Sequence, residues 1–485
     1  MKTLLINMAL RPESPIKMFP VGLGYIATAL KNAEIEFDIL DLELIRYDLE
    51  LMQGFQKYDV VLLGTIVTGY KYVKRLCALI REENPNAVIV VGNTVASSIP
   101  EILLSKTEAD VAVIGEGDVT VVELLKNLKG WWGWEGPGIM WKDRGKIRSW
   151  PNRKPIPNLD LLPFIDFELW DIEAYIRNTP LQVSEPCPIP RDEVRALPIN
   201  TARGCPCRCG FCYNAFQGYP YRRRSIGDVL TEARGLKWKY GLNFIGFSDE
   251  LTFADKDYAK KFSEEILDLE LAFYWVAQCR AGTFGPRDGA LVDLMKAAGC
   301  VGASFALESA DRGILLSMRK GITVKAFEEQ VTLFHQHDLS VWTSLVLGYP
   351  QETPATIKET FDVCARNGVY PSIGYLLPQP GTPIYEYARK IGRIQDEEEY
   401  LLGMGDRQDL YLNLTTMSDD EFREFVMAGA ARCRDAVGVD LPDDKLVKTG
   451  HYVGFKEKEI SRLNKESCVD RRYIDRLKSG GTFVC

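Results

Sequence analysis

Four cysteines fall within Cys205-Pro-Cys207-Arg-Cys209-Gly-Phe-Cys212, and no other part of the chain gathers so much reactive chemistry. Thiolates are the ligands of choice for soft transition metals. Cys205, Cys209 and Cys212 are spaced so that three thiolates can wrap three corners of an iron–sulfur cube and leave the fourth iron open. A four-thiolate cluster mainly passes electrons, whereas an open iron can bind a substrate or cofactor. Zinc is the alternative; it needs a fourth protein ligand, which Cys207 could supply, although no second Cys or His pair follows. Cys77, Cys187, Cys279, Cys300, Cys364, Cys433, Cys468 and Cys485 are scattered and read as packing thiols.

A second constellation is Gly22-Leu-Gly24-Tyr25-Ile-Ala27, which matches the glycine fingerprint of dinucleotide-binding folds. That fingerprint works when the glycines open a helix directly after the first strand, so that pyrophosphate meets the helix N-terminus. Here a loop with Pro12, Pro15 and Pro20 intervenes, and the geometry for pyrophosphate is poor.

The elements that must position these residues come in two β/α series. Short β-branched runs at 3–7, 37–42, 60–64, 87–92 and 110–115 alternate with helical patterns, which implies an open α/β domain with a parallel sheet covered on both faces. Its ligand should lie beyond the carboxyl ends of the strands. From 131 to 190 the rhythm breaks, with Trp131, Trp132, Trp134 and prolines from Pro137 to Pro190 reading as a linker. A second series follows, with strands expected at 198–202, 244–247, 273–278, 301–307, 340–347 and 372–376. Six such units imply a partial β/α barrel with reactive residues on the loops after the strands. The expected organisation is therefore an N-terminal Rossmann-like domain (1–135), a Pro-rich linker (136–192), a partial (β/α)6 barrel (193–392) and a helical C-terminal region (393–485).

With 485 residues, 46% hydrophobic and 26% charged, the composition is that of a globular chain. A formal charge of −8 argues against a nucleic-acid partner, since phosphate binding needs clustered Lys and Arg. Arg222, Arg223 and Arg224 form the one tight basic run and read as a solvated face. The start is too short in apolar residues for a signal peptide and no stretch suffices for a membrane span, so a cytoplasmic location is expected.

Cys-x-x-x-Cys-x-x-Cys after a barrel strand resembles the radical S-adenosylmethionine superfamily. The resemblance implies that Cys205, Cys209 and Cys212 ligate a 4Fe–4S cluster whose open iron chelates S-adenosylmethionine, with Phe211 against adenine. Later segments fit the same pattern in order. Gly246-Phe-Ser248-Asp249-Glu250 resembles the second-strand motif that holds the methionine amino group. Arg280 ends the third strand, where a polar side chain meets the cofactor, and Leu307-Glu308-Ser309 resembles the fourth-strand motif that approaches the ribose or carboxylate. Leu347-Gly-Tyr-Pro-Gln-Glu352-Thr and Pro378-Gln-Pro-Gly-Thr382-Pro resemble the fifth- and sixth-strand turns.

Beside that barrel, Met18-Phe-Pro20-Val-Gly22-Leu-Gly24-Tyr25 resembles the cobalamin-binding domain at the N-terminus of one radical subfamily. Gly64-Thr65-Ile-Val-Thr68, Gly92-Asn93-Thr94 and Gly115-Glu116-Gly117 would let a flat corrin approach the backbone, their ordinary alternative being turn chemistry. The only histidines are His335, His337 and His451, so a cobalamin without a histidine ligand below cobalt is expected.

This resemblance implies a cobalamin-dependent radical methyltransferase acting on an unactivated carbon, a small molecule or a peptide segment, with flavodoxin or ferredoxin as electron donor. Ring formation, rearrangement or oxidation without methyl transfer, and a non-enzymatic iron–sulfur electron carrier, are the alternatives. No acid–base residue is nominated. Tyr411, Tyr452 and Phe455 would help shape the substrate pocket, or the tail would simply close the barrel.

Overall fold

The computed structural model describes residues 1–9, 14, 16–45, 52–128, 136–182, 187–216 and 218–447. Pro12, Pro15, Trp131, Trp132, Trp134, Pro186, His451, Tyr452, Phe455, Cys468 and Cys485 lie outside the described residues. The chain divides into two compact units: Met1–Asn178 with Ile394–Gly405, and Thr179–Arg393 with the described residues from Asp406 onward. No described helix is long and apolar enough to cross a membrane.

In the first unit, β1 (Thr3–Asn7), β2 (Phe37–Asp41), β3 (Val60–Gly64), β4 (Val88–Gly92) and β5 (Val111–Val113) run parallel in the order β2-β1-β3-β4-β5. Every residue of β1 and β3 is buried, which is why both read as unbroken apolar runs. The order reverses between β1 and β3, and a doubly wound sheet opens its ligand crevice at such a switch point. Two strands then extend the sheet antiparallel, β6 (Ile139–Asp143) on β5 and β7 (Lys146–Ser149) on β6. They lie in the segment that reads as linker. Arg144 and Gly145 both take positive φ in the turn between them, +49° and +79°, as a two-residue hairpin loop demands. All of β7 is exposed, and Lys146 and Arg148 suit an edge strand that must not recruit another.

The helix Glu397–Gly403, late in sequence, also belongs to this unit. Glu398 accepts from the Tyr70 hydroxyl at 3.1 Å and from the Lys74 ammonium, and sits 3.7 Å from Lys106.

The second unit begins at β8 (Ala196–Ile199), followed by a short antiparallel pair, β9 (Ala202–Arg203) and β10 (Arg222–Arg223). The strand expected at 198–202 is thus two strands, and the ladder breaks where the cysteine loop departs. Parallel to β8 run β11 (Phe244–Phe247), β12 (Tyr274–Gln278), β13 (Cys300–Ser304) and β14 (Ser340–Trp342), in the order β14-β13-β12-β11-β8. The fifth barrel strand is interrupted at Thr343, after which β15 (Ser344–Leu347) pairs with β16 (Ser372–Tyr375). A single parallel bridge, Glu308 to Leu345, spans the interruption. Phe247, Phe253, Phe262 and Trp275 cluster with ring centroids 5.2–6.2 Å apart, fixing the end of β11 from which Ser248 and Asp249 emerge.

Helix starts follow local chemistry. Ser225 Oγ accepts from Asp228 N, and Ser418 with Glu421 forms a full capping box that opens the helix Asp419–Val437. That helix packs on the barrel helix Pro354–Arg366, and a Cβ on Gly429 would stand 2.3 Å from the Phe361 ring. Only glycine admits so close an approach.

Candidate cofactor sites in the two units

The cysteine loop runs from Gly204 to Tyr221 between β9 and β10, and its base is clamped by charge. Arg224 donates to Asp228 at 2.7 Å, to Glu232 at 2.5 Å and to the Asn200 carbonyl at 2.8 Å. Arg203 and Arg222, paired across β9 and β10, both lie over the Phe216 ring, at 6.0 and 5.6 Å. Arg222 and Arg224 are buried, which corrects the reading of 222–224 as a solvated face; only Arg223 faces outward, toward Asp255. The carboxylates at positions 228 and 232 make the burial of Arg224 tolerable.

Asp249 secures the same turn from β11. Its carboxylate accepts from Thr201 N at 2.8 Å, Ala202 N at 3.1 Å, Asn200 Nδ2 at 2.9 Å, Thr201 Oγ1 at 2.5 Å and Thr252 Oγ1 at 2.9 Å. Both oxygens are therefore taken up by protein donors. Next to it, Glu250 accepts from Gly204 N at 3.3 Å, and Ser248 is exposed, its carbonyl accepting from Asn200. At the far side of the loop, Gly210 donates to the Met318 carbonyl at 2.7 Å and accepts from Ile384 N at 3.1 Å. Ile384 lies in the helix that Thr382 caps, so the sixth-strand turn holds the loop through backbone bonds.

Cys205, Cys207 and Cys209 are half-buried and Cys212 is exposed. Arg280 reaches the Cys207 sulfur. The hydrogen bond from Cys205, aided by the Arg280 guanidinium, draws the Cys207 thiol down to about 6. Burial pushes the Cys209 thiol up, and Lys320 and Arg280 oppose that. Lys320 Nζ pairs with Glu308 Oε1 at 2.7 Å, the two side chains only 12% and 6% exposed, and lies 6.0 Å from the centre of the Phe211 ring. Tyr349 meets that ring edge-on at 6.4 Å. Glu308 itself adopts φ +64°, a left-handed backbone uncommon outside glycine, and its Oε2 is buried without a hydrogen-bond partner. Strain and an orphaned carboxylate oxygen together mark a place built for a ligand. Ser309, beside it, is buried with its hydroxyl accepting from Asp311 N at 3.2 Å. In the fifth-strand turn, burial raises Glu352 to about 7 although Thr356 Oγ1 and Gly348 N donate to it.

These residues fit an anionic cluster with an amino-acid ligand. Among the described residues no three His, Cys, Asp or Glu side chains converge as a single ion would require. A cube asks for no such convergence, because each thiolate takes its own iron. Lys320 and Arg280 bring positive charge beside the thiols, and Glu308 Oε2 offers an acceptor for an ammonium or hydroxyl group. Lys320 was not legible as a site residue, since a turn with Arg319 at φ +53° and Gly321 at +65° carries it there, whereas Tyr349 falls in the fifth-strand motif.

In the first unit, the small and hydroxylated residues gather at the carboxyl ends of the strands. Positions where a Cβ would meet nothing within 4 Å include Gly22 and Gly92, so backbone is open to a flat ligand there. Gly24 differs: a Cβ would come 2.8 Å from Phe19 and 3.0 Å from Ile165, so its smallness serves packing of the helix Val21–Asn32, which Pro20 precedes and in which Tyr25 is buried. Thr65 is buried against Gly69, and Thr68 lies in the following turn. Thr94 Oγ1 accepts from Val67 N at 2.9 Å, and Asn93, at φ +67°, accepts from Thr94 N. Gly115 donates to Ser97 Oγ at 3.0 Å; Glu116 is buried and accepts from Ile156 N at 2.6 Å; Gly117 opens the helix Gly117–Asn127.

One network at these strand ends escaped the sequence. Asp41, closing β2, accepts from Asn7 Nδ2 at 2.7 Å and from the Tyr175 hydroxyl at 2.7 Å. Burial raises its carboxyl to about 6 despite those bonds. Phe19 packs edge-on to Tyr175 and Trp170, with centroids 5.3 Å away in each case. The signal available was the pair of polar residues, Asn7 and Asp41, ending two apolar strands.

Comparison with known proteins assigns both units. Residues 10–125 match the model of the B12 binding domain, and residues 199–364 that of the Radical SAM superfamily. An uncharacterized methyltransferase of Pyrococcus horikoshii is 29% identical over 406 residues, covering 80% of this chain and 84% of the relative. The anaerobic magnesium-protoporphyrin IX monomethyl ester cyclase of Rubrivivax gelatinosus is 25% identical over 360 residues, covering 70% and 61%. Among solved structures, the radical S-adenosylmethionine methyltransferase TsrM of Kitasatospora setae, with cobalamin and a 4Fe–4S cluster bound, aligns with a TM-score of 0.63 at 21% identity, over 80% of this chain and 78% of that one.

Proposed function

The chain belongs to the radical S-adenosylmethionine superfamily and carries a B12-binding domain, and from that premise we propose that it is a methyltransferase acting on an unactivated carbon of its substrate. The observation that carries the reading is the union, in one chain, of the open-site cysteine triplet and a B12-binding domain. The methyltransferase relative supports methyl transfer as the outcome.

Bound to these sites, the cluster with S-adenosylmethionine supplies a 5′-deoxyadenosyl radical and cobalamin supplies the methyl group. Cys205, Cys209 and Cys212 would hold three irons, leaving Cys207 to its contact with Arg280. Glu308 Oε2 would accept from the amino group or ribose, Lys320 and Arg280 would neutralise carboxylate and cluster charge, and Phe211 would pack on adenine. Ser248, Glu250 and Ser309 border the same loop ends, and Asp249 acts by holding the β8–β9 turn. Around Phe211 and Tyr349 the ring surfaces would keep water from the radical. On the cobalamin side, Pro20, Gly22, Tyr25, Thr65, Thr68, Gly92, Asn93, Thr94, Gly115, Glu116 and Gly117 would frame the corrin, with Gly24 as packing. We expect no histidine beneath cobalt, so the Co(II) EPR spectrum should lack nitrogen hyperfine splitting from a protein imidazole.

S-adenosylmethionine labelled in its methyl group tests the outcome. Label recovered in product supports methyl transfer; product without label favours the second reading, ring closure, which the cyclase relative makes specific. The substrate class is small molecule or peptide segment, and a single-electron donor is required.

A further inference from the structure

We propose that the helix Arg312–Ser317 and the turn that follows form the docking surface for an acidic one-electron carrier of the flavin or iron–sulfur class, which reduces the cluster through the Met318–Gly210 contact. This rests on the cluster being held by the cysteine loop.

Three observations converge. First, the helix ends in direct contact with that loop: Met318 O accepts from Gly210 N at 2.7 Å, one residue from Cys209 and two from Cys212. Second, Leu316 is 68% exposed, third among the large apolar side chains of the described residues, and lies on the helix that leads into Met318. Third, Arg208 on the loop, Arg312 on the helix and Arg319 on the turn are all exposed, and among the described residues none of the three has an ion-pair partner. The helix carries no acidic residue, and Asp311 at its N-cap directs its carboxylate to Ile314 N at 2.8 Å.

An exposed leucine with unpaired arginines on its own helix, on the following turn and on the contacting loop, on a chain of net charge −8, is complementary to an acidic protein surface. Exposed arginines without carboxylate partners contribute little to the fold, while the same charges steer an oppositely charged partner. The step is a single electron transfer. The carrier's reduced cofactor loses one electron, the cluster gains it, and no proton or group needs to move. The short backbone path from Met318 through Gly210 to Cys209 places the receiving sulfur just behind the surface.

The test uses the full chain with its cluster reconstituted, reduced flavodoxin as carrier, and dithionite as a small reductant that needs no docking. Cluster bleaching is followed by stopped-flow absorbance. Arg312→Glu with Leu316→Glu should slow reduction by flavodoxin about tenfold at low ionic strength, with the gap narrowing as salt rises, and leave the dithionite rate unchanged. A glutamate at position 312 suits the first turn of a helix, so folding is not the variable. Reversing Lys260 and Lys261, exposed on the helix Lys256–Asp268, controls for net charge and should change neither rate. An unchanged flavodoxin rate in the 312/316 variant overturns the proposal. Equal slowing in the 260/261 variant, or a parallel loss of the dithionite rate, overturns it as well. A wild-type chain that shows no cluster absorbance after reconstitution refutes the underlying ligand reading instead.

Discussion

Replacing Asp41 by Asn should stabilise the first unit above neutral pH and remove a pH dependence that the wild type carries. Asp41 is wholly buried at the end of β2, and burial raises its carboxyl from the ordinary 3.8 to about 6. A raised acid binds its proton more tightly folded than unfolded. Stability is then greatest below the unfolded value and is lost as pH climbs through the folded one. The gap between 3.8 and about 6 corresponds to about 3 kcal/mol withheld from the unit at pH 8. Asparagine keeps one oxygen for the donors now on Oδ1, Asn7 Nδ2 and Glu43 N, and its amide can donate to the Tyr175 oxygen. The local gain should therefore approach that figure, less a fraction for reorienting the Tyr175 hydroxyl. Hydrogen exchange of peptides spanning β1 and β2, corrected for intrinsic rates and followed from pH 4.5 to 8, isolates this unit from the other. Wild-type protection should fall from pH 4.5 to about 6 and level off above it, while the variant's stays flat. Parallel profiles for the two proteins would refute the buried titration.

Three further expectations concern the second unit. Cys205→Ala, Cys209→Ala and Cys212→Ala should each lose the cluster's iron and visible absorbance, whereas Cys207→Ala should retain both; iron loss in the last would return Cys207 to the ligand set. Glu308→Gln should keep the cluster but weaken S-adenosylmethionine binding about 10- to 100-fold, the worth of a charged hydrogen bond, as read by equilibrium dialysis. Asp249→Ala strands Thr201 N and Ala202 N and should cost about 2–4 kcal/mol in denaturant unfolding, with less iron incorporated per chain; a variant as stable as wild type would show that the turn holds without it.

How much of this was legible depends on whether the deciding contact is local. The ranges read for β1, β3 and β11 agree with the structure because buried parallel strands must be continuous apolar runs, and the cysteine triplet announces itself by spacing alone. The β6–β7 hairpin did not show, since its outer strand is short and exposed on both faces and its turn uses Arg144 where Asn or Asp would have signalled it. Burial of Arg224 could have been suspected from Asp228 and Glu232 at one and two helical turns, but a count of charges hides pairing. Lys320 depends on a backbone turn, and the Asp41–Tyr175 pair on partners more than a hundred residues apart, neither of which a local pattern encodes. Gly24 misled for the opposite reason, a motif match whose physical cause is Phe19.

The Glu398 strap has a consequence for the order in which the protein can be made. The first unit's sheet is synthesised early, yet the carboxylate that gathers Tyr70, Lys74 and Lys106 arrives only after the whole barrel has been translated. Three positive or hydroxyl-bearing side chains wait on a nascent chain for an anion encoded some three hundred residues later. A ribosome-bound fragment ending before Ile394 would leave that unit unfinished, and a chaperone has its longest opportunity to engage it in that interval.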